Sequence, residues 1–347
     1  MQALQLTDYR NLQLVDLPIP TIAPDEVLIR VAACGICGSD VHGFDGSTGR
    51  RIPPLVMGHE AAGVIAQAGA AVSEYAVGER VTFDSTIYCG LCRFCRSGAA
   101  NLCDNRQVLG VSCGDYRRNG AFAEYVAVPS RILYRLPDAL GFPESAMIEA
   151  VSVALHAVKL TQPEQGSTAL VVGAGMIGLL ILQALRVAGC GPIIVTDVDA
   201  GRLELATRLG ANRVIHAGKE DVPAQVRSLT GGYGADTVLE AVGNAPALRT
   251  AIQSARKGAT ITLVGNLAPE VPLPLQTVVT RQLRLQGSCA SAGEYPEAIA
   301  LLASGAIDVS PMISAVSPLS EGARWFERLH AREANLMKVV LTPESSR

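Results

Sequence analysis

Residues 168–189 read TALVVGAGMIGLLILQALRVAG. The run is about the length of a membrane span. However, Gly173, Gly175 and Gly178 fall near its start and Arg186 near its end. An apolar strand, a glycine turn and a buried helix explain it better. The glycines fit G-x-G-x-x-G between a strand and a helix, the context that makes the pattern a dinucleotide-binding turn. Gly173 permits the tight turn, Gly175 lets the backbone approach a pyrophosphate, and Gly178 allows close helix–strand packing. Met176 and Ile177 complete the turn, with the phosphates expected at the positive end of the helix.

Asp197 closes the next strand, IIVTD, nineteen residues after Gly178. A carboxylate there accepts from both adenine-ribose hydroxyls and repels a 2′-phosphate. The alternative is a strand-end aspartate that merely caps the next helix. Val198 and Asp199 offer no cation for a phosphate. Arg202 follows on a helix, a candidate cofactor contact that also reads as a solvated side chain. NAD is therefore favoured over NADP.

Outward from this turn, strands and helices alternate. IIVTD precedes the helix GRLELATRLGA, and DTVLEAVG precedes the helix APALRTAIQSARKG, which leads to the strand TITLVGN. This is the rhythm of a parallel, doubly wound sheet. The first ~150 residues instead read as short strands punctuated by Gly, Pro and Asp, a barrel-like all-β body. EVLIRVAACG, EAAGVIAQAG, ERVTF and AFAEYVAVP are examples. After residue 288 the alternation stops, and the strand MKVVLTP suggests a return to the first body. The expected domains are 1–151 plus 289–347, and 152–288 between them. No internal repeat or low-complexity segment is evident.

The chain has 347 residues, 49% apolar and 18% charged, and a net charge of −3. That suits a folded protein with large cores. It gives no basic footprint for nucleic acid. The N-terminus lacks a signal-peptide pattern, so a reducing cytoplasm is expected.

Four of the nine cysteines, Cys89, Cys92, Cys95 and Cys103, lie within CGLCRFCRSGAANLC. Disulfides are rare in a reducing compartment. The C-x2-C-x2-C-x7-C spacing suits one tetrahedral zinc, which four thiolates saturate. Such a zinc holds a loop and leaves no place for substrate. A DNA-binding zinc ribbon would need more basic residues than Arg93 and Arg96. A second constellation combines CGICGSDVH, Cys34 to His42, with GHE, Gly58 to Glu60. Thiolate, imidazole and carboxylate are zinc ligands, and three of them suit a catalytic site. Cys34 and Cys37 also form a C-x2-C pair, but Cys34 continues an apolar strand and reads as a buried thiol.

At this point the sequence resembles the zinc-dependent medium-chain alcohol dehydrogenases of the sorbitol and polyol dehydrogenase type. GICGSDVH, GHE, the four-cysteine lobe, NGAFAEY, MIEAVSVALHA and GAGMIG occur in the family's order, over nearly the whole chain. The resemblance implies an α/β architecture: a GroES-like β-barrel catalytic domain, an inserted Rossmann domain and an active site in the cleft between them. It makes Cys37, His59 and Glu60 ligands of a catalytic zinc, and Glu149 a fourth ligand or a base for zinc-bound water. Ser39 becomes the relay hydroxyl and His42 the outlet for its proton. Val242, Val264, Gly265, Ser288 and Cys289 fall in segments facing the cofactor. Two zinc ions per chain, NAD, a small alcohol substrate and a homodimer or homotetramer follow from it, with no nucleic-acid or membrane partner.

Two positions depart from the family pattern. Ala150 replaces the usual proline after the acid, and Asn119 replaces the commoner aspartate before GAFAEY. His156, in VSVALHAV, reads as a packed core residue, and His216 and His330 have no motif around them. Arg50 and Arg51 could recognise an anion, but two arginines before a strand read as a solvated edge.

The implied reaction is reversible oxidation of a secondary alcohol, with zinc as Lewis acid and hydride passing to nicotinamide. Ser39 would relay the proton through the cofactor ribose to His42. Zinc with ionised Cys37 and Glu60 is already neutral, so a second bound carboxylate would leave the site anionic. Polyols and sugar alcohols lead as substrates, with phosphorylated polyols, aminopolyols, threonine and vicinal diols as alternatives. A non-catalytic zinc and nucleotide-binding protein would show losses among Cys37, Ser39, His59 and the glycines, and none is lost. A thiol redox sensor using Cys34 and Cys37 is the third reading.

Overall fold

EVLIRVAACG becomes the central strand, Glu26–Gly35, of a seven-stranded sheet. It is buried along most of its length because sheet neighbours and loops cover it. Its antiparallel partners are Glu60–Ala68, Tyr125–Pro129 and Lys338–Thr342. In this register Gly35 faces Glu60, and Val340 faces Gly35. The sheet thus brings residues about 300 positions apart to one end. The computed structural model describes residues 1–343.

The chain forms two units. The first is Met1–Glu149 with Tyr295–Ala303 and the segment from Val309 onward; the second is Ala150–Glu294 with Ser304–Asp308. The first unit has an aromatic centre, with Phe122 and Phe326 both fully buried and their rings edge to face at 5.7 Å. Its last strand, Lys338–Thr342, comes from the tail.

The second unit holds a six-stranded parallel sheet. Ala169–Val172 lies inside it, beside Ile193–Asp197 on one edge and Ala235–Glu240 on the other. Strand order therefore reverses at the glycine turn, the place where such sheets bind ligands. The helix Met176–Val187 is buried from Gly178 to Leu185, as its apolar sequence requires.

Two expectations need correction. The helix read from APALRTAIQSARKG stops at Ser254, and Ala255–Leu263 is a strand. Arg256 Nε reaches Asp236 Oδ1 at 2.5 Å, tying this segment to the adjacent strand. The unit boundary also differs from 152–288. His156 Nδ1 lies 3.2 Å from Glu294 Oε1, and Gln183 exchanges hydrogen bonds of 3.0 and 2.8 Å with the Asp308 backbone. Those contacts place 289–294 and 304–308 with the second unit.

Candidate functional site

Cys37 follows the central strand and caps the short helix Gly38–Phe44 in a capping-box arrangement with Asp40. Gly58, at φ +93°, turns the chain into the strand that starts at Glu60. An added Cβ at Gly58 would stand 2.9 Å from Cys34 Sγ, so only glycine brings the next residue, His59, this close. As a result, one ligand atom each from Cys37, His59 and Glu60 lies within 4.8 Å of the others.

The chemistry of these donors fits a cation. Glu60 is 1% exposed and its Oε1 has no hydrogen-bond partner among the described residues. A buried carboxylate oxygen without a partner is costly. Burial alone would lower the His59 imidazole, yet the neighbouring Asp40 and Cys37 push it well above its usual range, so the surroundings favour positive charge there. Zinc supplies such charge to a thiolate, imidazole and carboxylate set. Asp40 is fully buried, and its Oδ1 lies 3.4 Å from His59 Nδ1. His59 Nδ1 has no hydrogen-bond partner among the described residues, so Asp40 acts on the imidazole as a neighbouring negative charge.

Glu149 is not in this group of close ligand atoms. It opens the helix Ile148–Thr161. Burial, and then the Glu60 charge, raise its carboxyl to about 7. The expectation that a second carboxylate makes the site anionic omitted Lys338, which is fully buried and donates to Glu60 Oε2 and to Ile36 O at 3.0 Å. With zinc and this ammonium, the charges of Cys37, Glu60 and an ionised Glu149 are balanced. Ser39 and His42 are both exposed, three residues apart on the short helix, one turn along the same face.

Three site residues escaped the sequence reading. Asp40 sits inside GICGSDVH without a ligand role of its own. Lys338 had a signal, a lysine heading the apolar strand KVVLT, since a buried ammonium needs a partner. Arg51 had none; read as a solvated edge, it is 5% exposed and bound to Asp40. Arg50 remains exposed. Asn119 Oδ1 accepts from Val56 N at 3.2 Å. Cys34 is buried and its thiol is pushed up by burial, which argues against a redox pair with Cys37. His216 bonds within its own turn, and His330 Nε2 meets Asp45 Oδ2 at 3.1 Å.

The sulfurs of Cys89, Cys92, Cys95 and Cys103 also lie within 4.8 Å of one another. Backbone N–H groups of Leu91 and Cys92 point at Cys89 Sγ, and those of Cys89 and Asn105 at Cys103 Sγ. The Leu91 and Cys92 N–H groups lower the Cys89 thiol to about 6, while desolvation and the neighbouring thiols raise Cys95 to about 12. The convergence of four sulfurs fits thiolates sharing one metal. Cys95→Ser is expected to lower thermal stability, while folded molecules keep near-normal turnover. Unchanged melting with lost turnover would contradict a structural role.

In the second unit, Gly173 has φ +103°, and a Cβ at Gly178 would stand 1.8 Å from Gly173 O. A Cβ at Gly175 would meet no protein atom within 4 Å, leaving open space where a pyrophosphate would approach. Met176 and Ile177 start the helix there. Asp197 accepts from Ala174 N at 2.6 Å and Asp199 N at 2.9 Å. Each oxygen keeps a lone pair for a ribose hydroxyl. Arg202 is exposed, and its N–H joins the Asp199 cap. Val242, Val264, Gly265 and Ser288 gather beyond the carboxyl ends of neighbouring strands, where Val242 N and Gly265 N both bond Glu240. Ser288 Oγ is buried with no hydrogen-bond partner among the described residues, whereas Cys289 is exposed.

Comparison with known proteins bears on both units. Residues 23–138 match the family model "alcohol dehydrogenase GroES-like domain", and 177–304 match "zinc-binding dehydrogenase". The chain is 35% identical to sorbitol dehydrogenase of Bacillus subtilis (strain 168), covering 99% of this chain and 97% of that protein. It is 36% identical to D-arabitol-phosphate dehydrogenase of Enterococcus avium, over 97% and 95%. A solved structure described as a zinc-binding dehydrogenase from Sinorhizobium meliloti 1021, bound to NADP, has a TM-score of 0.91 at 33% identity, over 99% of both chains.

Proposed function

This chain belongs to the zinc-dependent medium-chain alcohol dehydrogenases, in their polyol dehydrogenase branch, and on that premise we propose how its residues work. The protein is an oxidoreductase of GroES-like and Rossmann architecture that oxidises a secondary alcohol of a polyol or sugar derivative reversibly, using zinc and NAD. The observation that carries the site assignment is the convergence of Cys37, His59 and Glu60 within 4.8 Å. When bound there, zinc would supply a Lewis acid for the substrate oxygen and NAD would supply the hydride acceptor.

The chain's own residues do the rest. Asp40 sets a negative charge beside His59, and Lys338 holds one oxygen of Glu60 so that the other is free for metal. Ser39 Oγ takes the substrate proton as its own leaves towards His42. Glu149, buried and within reach of the Glu60 charge, exchanges a proton with water at the site. Asp197 holds the adenine ribose, and Gly173, Gly175 and Gly178 shape the phosphate turn, with Val264, Gly265, Ser288 and Cys289 on the nicotinamide side. Cys89, Cys92, Cys95 and Cys103 hold the second zinc.

Among the described residues, no helix is long and apolar enough to cross a membrane. A cytoplasmic homodimer or homotetramer is part of this reading. The exposed edge strand Arg284–Gly287, with Leu275 and Val279 exposed nearby in sequence, is consistent with a second copy beside it.

The test is reduction of NAD, and separately of NADP, by zinc-loaded protein on sorbitol, xylitol, arabitol, their phosphates, L-threonine and 2,3-butanediol. A polyol or its phosphate should lead, with NAD preferred. Preference for threonine would move the substrate assignment, and preference for NADP would sink the role of Asp197. Asp197→Ala should weaken NAD binding by about 1–2 kcal/mol, the scale of hydrogen bonds to a charged group. Titration of NADH fluorescence reads that change directly.

A further inference from the structure

Arg51 is buried against expectation, and its surroundings say why. The backbone is fixed on both sides: Ser112 N donates to Arg50 O at 3.2 Å, and Ile52 N donates to Ser112 O at 3.1 Å. The side-chain stem then crosses Gly43 on the short helix. A Cβ added to Gly43 would stand 2.1 Å from Arg51 Cγ, so the crossing requires glycine there.

The guanidinium ends among named acceptors. Nε and Nη2 donate to Asp40 Oδ1 at 3.3 and 3.0 Å, and Nη1 donates to Arg50 O at 3.2 Å. Nη2 also donates to Ser39 Oγ at 3.3 Å. One planar group therefore joins the relay hydroxyl to the carboxylate beside His59.

A hydroxyl has one O–H and two lone pairs, whereas a guanidinium has donors only and stays charged. Arg51 can occupy a lone pair of Ser39 and can never take its proton. The O–H of Ser39 must then point away from Arg51, leaving one lone pair for an incoming proton. A lysine could still neutralise Asp40. Its single ammonium on a flexible stem lacks the rigid fork that serves both acceptors at fixed angles.

We propose that Arg51 is a positioning residue for proton transfer, holding Ser39 Oγ by one lone pair while anchored on Asp40. In the transfer, Ser39 Oγ gains the substrate proton on its free lone pair as its own O–H proton leaves towards a lone pair on the His42 imidazole. The electron pair of the broken substrate O–H bond stays on the substrate oxygen, and Ser39 ends neutral. This inference rests on the relay role given to Ser39 above.

The test is a double-mutant cycle of Arg51→Lys and Ser39→Ala in the zinc-loaded enzyme. It reads kcat and KM on the best alcohol of the panel, and zinc content with its rate of release to a chelator. Arg51→Lys should retain two zinc ions per chain with near-normal release. It should lower kcat by about 10- to 100-fold, the scale of a misplaced catalytic group, with little change in KM. In the Ser39→Ala background the same change should alter kcat less than about twofold, because coupled sites are non-additive.

Equal losses in both backgrounds would overturn the inference, as would an unchanged kcat or zinc loss in step with activity. Those results would leave the relay reading intact. Wild-type kcat in Ser39→Ala alone would instead remove the relay reading and the inference together. If Arg51→Lys does not fold, Gly43→Ala displaces the Arg51 stem without altering charge and should show the same non-additivity. Additive behaviour of that variant would overturn the inference too.

Discussion

Glu149→Gln is expected to slow turnover of the loaded enzyme by about 10²–10⁴-fold, the usual cost of a lost acid–base group. Zinc content and NAD binding should stay intact, because Glu149 lies outside the group formed by Cys37, His59 and Glu60. The same change should have the opposite sign on stability once metal is removed. In the metal-free fold, burial and Glu60 raise the carboxyl from its ordinary 4.5 to about 7. The folded state therefore holds a proton that the unfolded state releases between those values. Stability from this group is full below about pH 4.5 and falls as pH rises through 7. Metal-free Glu149→Gln should resist urea better than the parent at pH 8 and behave alike near pH 4. Wild-type kinetics in the variant, or a stability difference that grows towards acid, would reject the role.

Lys338→Met carries the second large effect. Lys338 and Glu60 have fully buried side chains and are paired. Removing one partner of a buried pair leaves an uncompensated charge and costs about 3–5 kcal/mol. That full cost is expected in metal-free protein, where Glu60 Oε1 has no partner among the described residues. In loaded protein zinc takes part of the Glu60 charge, so the cost should shrink. Urea unfolding of both forms checks the contrast. Equal costs with and without metal would mean that Lys338 does not serve the metal ligand.

The sequence was most legible where chemistry fixes spacing. The thiolate spacings, GHE and the glycine turn are short, and their geometry is local. EVLIRVAACG marked its strand because a run apolar along its length needs cover on both faces. What was missed depends on contacts far along the chain. Arg51 is 5% exposed only because Gly43 leaves room for its stem and Asp40 waits beneath it. Lys338 meets Glu60 across 278 residues, so counting charges near GHE left it out. The segment 255–258 favoured helix locally, yet the Arg256–Asp236 pair and pairing with Ala235–Glu240 made it strand.

If Cys37, His59 and Glu60 hold the zinc that NAD-linked alcohol oxidation requires, and the four cysteines hold a structural one, the two ions should part at different chelator strengths. A chelator titration can follow zinc release and NADH formation in the same sample. Two zinc ions per chain are expected, with activity vanishing as the first leaves and most of the fold persisting. One zinc per fully loaded chain, or full activity after the first has gone, would rule out this assignment.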